Sequence, residues 1–280
     1  MPSRAIASPI TIETAIAAIP NVTSIAPNPD AAALLQTYTD EVDELKQQII
    51  GNATESLCLN RLPGDTRSAG TCAPDEVAAS GARADVHGGF MQQIVADAFL
   101  ARAFRSDIAI QNAGGVREVV PAGEISMNEA ISVLPFSNTL VELDLTGAQV
   151  LATLEEAAAN FVDNGGSDGS YPYGSAIRWD ADLTTPAGQR FTNVEVRDRD
   201  TGEWAPIDPA ATYVVVTNDF IARGQDGYDT FGEVWEAVIS DFVERYAPGG
   251  LRFSINDGGA RPDTVSLRLA QAARLMENDA

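Results

Sequence analysis

An amide, two glycines and a guanidinium fall within the run Asn112-Ala113-Gly114-Gly115-Val116-Arg117, directly after the strand-like Asp107-Ile108-Ala109-Ile110-Gln111. Glycine permits φ > 0 and lets a ligand approach the backbone closely, and a planar guanidinium grips a carboxylate, a phosphate or a ring face. Asn112, Gly115 and Arg117 are therefore candidates for holding a polar ligand. A plain strand-to-loop turn with a surface arginine has the same composition, so this run alone does not separate the two readings. Two further segments bring in aromatic and polar residues. Leu134-Pro135-Phe136-Ser137-Asn138 follows at short range, and Asn218-Asp219-Phe220-Ile221-Ala222-Arg223-Gly224-Gln225-Asp226-Gly227-Tyr228 lies much further on.

In their order, and in most of their internal spacing, these segments resemble the C-terminal, substrate-binding domain of the 5'-nucleotidase family. That family includes bacterial UDP-sugar hydrolase/5'-nucleotidases and animal ecto-5'-nucleotidases, and the resemblance covers roughly residues 55 to 245. It implies an α+β fold, a four-layer α/β/β/α sandwich. It also implies that Phe136 and Phe220 sandwich a nucleobase, that Asp226 accepts hydrogen bonds from ribose hydroxyls, and that Asn138 addresses the base edge. Arg117 is expected at the ribose or phosphate end, and Asn112 shapes the turn or reaches the domain junction. An arginine ahead of His87 is implied as well; Arg67 is the nearest candidate and Arg61 the second. Gln225 departs from the commoner Gly-Gly-Asp-Gly-Tyr pattern, which puts the packing of that loop in doubt but not the place of Asp226. An aromatic face binds any base without demanding one hydrogen-bond pattern, at about 1 to 3 kcal/mol per base, so broad base tolerance is expected. Two core phenylalanines are the competing reading; the flanking Asn138 and Asp226 favour the site.

A complete member of that family begins with a calcineurin-like metallophosphatase domain that holds two divalent metals, in part on Gly-Asn-His-Asp and Gly-His-x-His motifs. Neither motif occurs in this sequence, which has a single histidine, His87. A two-metal site built from several His, Asp and Asn ligands cannot be assembled around it. The expectation is a specificity half with no catalytic residue of its own, acting with a metallophosphatase domain in cis or in trans. Its expected ligand is a nucleoside monophosphate or a related nucleotide. The alternative, from another class, is a stand-alone nucleoside-binding or interaction module without catalysis. His87 itself reads as a capping or hydrogen-bonded side chain.

The chain has 280 residues with 45% hydrophobic content, enough for one sizeable core or two small ones. Its 40 acidic against 18 basic residues give a formal charge of -22, which repels nucleic acid polymers and anionic membrane surfaces. A mononucleotide is not excluded, because a few local arginines outweigh a distant field screened over roughly 10 Å. No apolar run reaches the roughly 20 residues that span a bilayer. Glu13 interrupts the apolar stretch near the amino terminus and no signal peptide is evident, so a periplasmic or extracellular location is expected only as part of a parent protein.

Cys58 and Cys72 are the two cysteines. A local disulfide closing that loop would contribute on the order of 3 kcal/mol in the chain-entropy model and imply an oxidising compartment. Two free thiols remain an open reading, and a zinc site lacks a second Cys or His pair.

The elements that must position these residues follow from pattern. Residues 1–28 are a weakly patterned leader and 29–54 an interdomain-type linker helix, expected to run to about Ile50 because Leu34, Leu35, Tyr38, Val42, Leu45 and Ile49 recur near helical period. Residues 55–248 form the substrate-binding domain and 249–280 a C-terminal extension with a helix near 265–276. Within the domain, helices are expected over about 89–104, from the capping box Ser126-Met127-Asn128-Glu129 to Pro135, from Thr146-Gly147-Ala148-Gln149 to about Phe161, and over 233–246. Strands are expected at Val141-Leu145, where apolar and acidic residues alternate, and at 176–179, 192–197 and 212–217. Asp163 to Ser175 reads as a long loop whose acidic residues lack the spacing of a calcium loop.

Overall fold

Asn28 opens the first helix by accepting the backbone N–H groups of Asp30 and Ala31 on its side-chain oxygen, at 2.9 and 3.0 Å, with Pro29 in the position where a missing N–H costs nothing. The computed structural model describes residues 28–63 and 87–246. The chain divides into two units between Gln48 and Ile49. In the first, α1 spans Pro29–Lys46 and stops short of Ile50. The β-branched pair Ile49-Ile50 followed by Gly51 leaves the helix and forms β1 (Ile49–Ala53), which pairs antiparallel with β3 (Gly123–Ser126) in the second unit. The expected linker helix is shorter than its pattern, and residues 49–53 belong to a sheet.

The second unit continues with α2 (Phe90–Arg102), β2 (Ile108–Asn112), β3, α3 (Met127–Val133), β4 (Leu140–Thr146), α4 (Gly147–Val162), β5 (Pro172–Ser175), β6 (Ile177–Ala181), β7 (Phe191–Arg197), β8 (Trp204–Pro206), β9 (Thr212–Asn218), α5 (Asp219–Ala222) and α6 (Asp229–Tyr246). A four-stranded sheet has the order β4-β9-β2-β5; β2 and β9 run parallel and the other pairs antiparallel. Strands β6, β7 and β8 form an antiparallel meander. The fold is α+β.

Period-two alternation decides which side chains face which layer. Ile108 and Ile110 of β2, Val215 of β9 and Val141, Leu143 and Leu145 of β4 share a core with Val150, Leu154 and Ala157 of α4 and with Phe191, Val194 and Val196 of β7. Ala109 and Val216, which point the other way, lie with Met91, Val95 and Phe99 of α2. The central sheet is therefore covered on both faces, with its strand ends free to carry a site. Both expected capping boxes are present, Ser126 with Glu129 and Thr146 with Gln149. The backbone N–H and hydroxyl of Ser126 donate to the Glu129 carboxylate and hold its pKa below the usual range.

The stretch expected as one loop, Asp163 to Ser175, ends in β5, buried along its length against β2. Pro172 and Gly174 hide it from pattern reading, and it is tolerated because β5 is the edge strand of its sheet. Ala176, at φ 56, separates β5 from β6, so the strand expected from 176 starts at Ile177 and runs on to Ala181. The acidic side chains of the loop are engaged by arginines: Asp163 with Arg190 and Asp168 with Arg61, each at 2.8 Å. The expected helix at 233–246 starts earlier, at Asp229. The helix expected near 265–276 lies outside the described residues.

Candidate functional site

At the ends of β2 and β9 the chain turns twice, and the two turns meet. Beyond β2, a short 3₁₀ turn over Ala113–Gly115 brings Gly114 against Gly169, so close that a Cβ on Gly114 would sit 3.0 Å from the Gly169 Cα. Beyond β9, Asn218 caps α5 by accepting the backbone N–H groups of Phe220 and Ile221, both at 3.1 Å. That cap turns Phe220 outward at the head of a turn whose left-handed Gly224 and Gly227 flank Asp226. Between α3 and β4, Pro135 ends the helix and presents Phe136.

These turns enclose a cleft of about 280 Å³ lined by Asn112, Gly115, Arg117, Phe136, Asn138, Phe220 and Asp226, together with Arg61, Gly114, Ser167 and Gly169. Segments far apart in sequence thus converge on one concavity. Every candidate binding residue named from the sequence lines it except Arg67, which lies outside the described residues. Phe136 and Phe220, both on the cleft wall, are 49% and 41% exposed. Neither is a core residue.

Asp226 holds a left-handed backbone, φ 58 and ψ 24, and its Oδ2 accepts from Asn112 Nδ2 at 2.8 Å. Its Oδ1 accepts no hydrogen bond among the described residues, and Asp226 is one of the residues that line the cleft. Below it, the Tyr228 phenol is pushed well above its ordinary pKa, first by complete burial and then by the Asp226 charge. Its hydroxyl donates to the Ser170 carbonyl at 2.8 Å and ties the turn to the loop that carries Ser167 and Gly169. Arg117 donates to the Gly114 carbonyl at 3.3 Å and places its guanidinium carbon 5.6 Å from the centre of the Phe136 ring. It therefore lies over the Phe136 ring in a cation–π contact.

Arg61, the second-choice arginine, reaches the cleft held by Asp168 at 2.8 Å and Ser167 Oγ at 3.3 Å. Ser167 and Gly169 are not among the residues expected from sequence; the dense Gly-Ser-Asp cluster around them is the available signal, and by itself it reads only as a loop. His87 is exposed and lies on a different cleft, with Trp179 and Pro63. Cys58 is buried, and Cys72 lies outside the described residues. Among the described residues there is no group of three or more His, Cys, Asp or Glu side chains that could hold a metal ion. No helix among them is long and apolar enough to cross a membrane.

Comparison with known proteins gives the same region a family. Residues 226–276 match the malonate decarboxylase delta subunit, and a stretch of 44 residues is 89% identical to the malonate decarboxylase acyl carrier protein of Bradyrhizobium diazoefficiens, covering 16% of this chain and 42% of that protein. Residues 68–233 match the 5'-nucleotidase C-terminal domain. The NAD 5'-nucleotidase of Haemophilus influenzae is 35% identical over 225 residues, which is 79% of this chain and 34% of that protein. The crystal structure of a 5'-nucleotidase precursor from Thermus thermophilus superposes with a TM-score of 0.56 at 32% identity, over 74% of this chain and 37% of that one. The chain spans about a third of the length of these nucleotidase relatives. With more than half of its residues inside the matched domain, whose segments carry Phe136, Phe220 and Asp226 of the cleft, the chain belongs to the 5'-nucleotidase family through its C-terminal domain.

Proposed function

We propose that this chain is the nucleoside-recognition part of a 5'-nucleotidase-type phosphohydrolase and that its ligand is a nucleoside monophosphate or a related nucleotide. The observation that carries this reading is the convergence of Phe136, Phe220, Asn138 and Asp226 on one cleft from separate segments, with both rings exposed. At about 280 Å³ the cleft is near the lower end of ligand pockets, about 300 to 1,000 Å³, which suits one nucleoside unit with the phosphate outside. The aromatic faces take the base, the open Asp226 oxygen accepts from sugar hydroxyls, and Asn138 reaches a base edge. Arg117 and Arg61 set positive charge at the rim against a chain of net charge -22.

Bond breaking belongs, in this reading, to a metallophosphatase domain in cis or in trans, whose two divalent metals would supply Lewis acidity and the nucleophile. This domain contributes orientation: holding base and sugar fixes where the phosphate is presented. Export to the periplasm or the cell exterior, and a bond between Cys58 and Cys72, are part of the same proposal. Calorimetric titration with adenosine and AMP tests it. Binding by the parent chain, weakened in Phe136→Ala and Phe220→Ala by about 1 to 3 kcal/mol each, is the expected result. A folded parent that binds neither ligand overturns the reading.

A further inference from the structure

We propose that Asn218, which is not among the residues lining the 280 Å³ cleft, is the positioning residue that decides how the cleft recognises a sugar. It is 2% exposed, and its amide has one orientation that satisfies its neighbours. Oδ1 accepts the N–H groups of Phe220 and Ile221. Nδ2 must therefore point the other way, where it donates to Gln111 Oε1 at 2.7 Å and to Asn112 Oδ1 at 3.0 Å. Gln111 is held in turn by donating from Nε2 to the Asn112 carbonyl at 3.0 Å.

The consequence passes along the chain of amides. With its Oδ1 occupied by Asn218, Asn112 can only present Nδ2 to Asp226, and it does so on Oδ2 at 2.8 Å. That bond holds one carboxylate oxygen and leaves Oδ1 to accept from a ligand. One buried amide thus fixes the stacking ring on one side and the hydroxyl acceptor on the other. Gln111 and Asn112 are 1% and 3% exposed, so water does not substitute for a lost partner without rearrangement. A cleft wired in this way accepts hydroxyl protons at a fixed point, and it prefers a ribonucleoside with its cis-diol to one without.

The inference rests on the nucleoside reading, and its test keeps the two apart. Asn218→Asp retains the oxygen that caps α5 but sets a second acceptor against Gln111 Oε1 and Asn112 Oδ1. Asn112 must then turn over, placing its own oxygen against Asp226. Asn218→Ser, a good helix cap that lacks the amide donor, guards against a fold defect specific to the first variant. Adenosine and 2',3'-dideoxyadenosine are titrated into the full chain and both variants. The parent is expected to prefer adenosine, and the preference to fall by about tenfold in each variant, the scale of a hydrogen bond to a charged group. Binding of the dideoxy ligand changes by less than about threefold, because stacking is retained. A structural role alone weakens both ligands together and leaves their ratio intact; that result overturns the inference while leaving nucleoside binding in place. A parent with no preference between the two ligands removes the Asp226 role and the inference with it.

Discussion

Among the described residues, Ser137, Ala176, Asn193 and Asp226 are the non-glycine residues with positive φ, and two of them, at φ 29 and φ 58, belong to the cleft loops. Such backbone costs about 1 to 3 kcal/mol each and persists only where neighbours over-determine it. For Asp226 the neighbours are Asn112 and the buried Tyr228 that follows in sequence. Ser137 stands between Phe136 and Asn138, so its twist turns a ring and an amide to the same cleft. Gly115 shows the opposite economy: it is needed for what it lacks. A Cβ there would meet Gln111 Nε2 at 2.2 Å and Asn112 Oδ1 at 3.0 Å, inside the amide network. Gly115→Ala is expected to push these amides apart and to weaken adenosine binding by about tenfold or more, the equivalent of about 1.4 kcal/mol. Calorimetry beside a melting curve checks this: a Kd unchanged in a folded variant would mean that the network does not reach the ligand.

At the scale of elements, strongly patterned pieces are legible in the sequence and quiet ones are not. Alternation predicts β4, and the two capping boxes predict the starts of α3 and α4, because in each the local chemistry and the burial agree. β5 escapes such reading because Pro172, Gly174 and Ser175 carry no pattern, although Tyr173 buried among them is a core residue. β1 and β3 escape it because a two-stranded ribbon is specified by its partner and not by its own sequence. The candidate binding residues are legible as types and spacing; Asn218 is not, since its buried amide bonds other amides, Gln111 and Asn112, that lie far from it in sequence. β5 also supplies a measurable property. Tyr173 and its neighbour Tyr171 have phenols raised above the usual 10.0 mainly by burial, as has Tyr228. Above pH 10 the unfolded chain sheds these protons and the native one keeps them, so unfolding gains as pH rises. Stability from these groups is present in full below pH 10 and is lost above it at up to about 1.4 kcal/mol per pH unit for each phenol. Lys46 is the only lysine in the sequence, which leaves tyrosine to dominate that window. Urea midpoints should fall above pH 10, and less steeply in Tyr228→Phe; equal slopes would show that the phenol is not withheld from solvent.

At the scale of the whole molecule, two likenesses meet inside one helix. The nucleotidase match ends at residue 233 and the delta-subunit match begins at 226, both within reach of α6 (Asp229–Tyr246). The two likenesses are to different proteins, at 35% identity over 225 residues and 89% identity over 44. If the nucleotidase match is a self-contained domain, the contacts that build its cleft must be complete near residue 233. The contacts of α6 agree with that requirement. Its first turn holds Thr230, whose N–H and hydroxyl donate to Glu156 at 2.9 and 2.6 Å, and Phe231, fully buried with its ring 5.5 Å from that of Tyr228. Tyr228 in turn reaches Ser170 and the loop lining the cleft. Among the described residues, a chain of contacts from α6 to the cleft runs through Phe231, within the nucleotidase match. A protein ending after Tyr246 is expected to bind adenosine with a Kd within about twofold of the full chain, less than about 0.5 kcal/mol. Thr230→Val, which keeps the shape and removes the hydroxyl donor to Glu156, is expected to lower stability by about 1 kcal/mol. Should truncation abolish binding while the remaining domain still melts cooperatively, the tail contributes to the cleft and the join lies inside the functional unit, not at its edge.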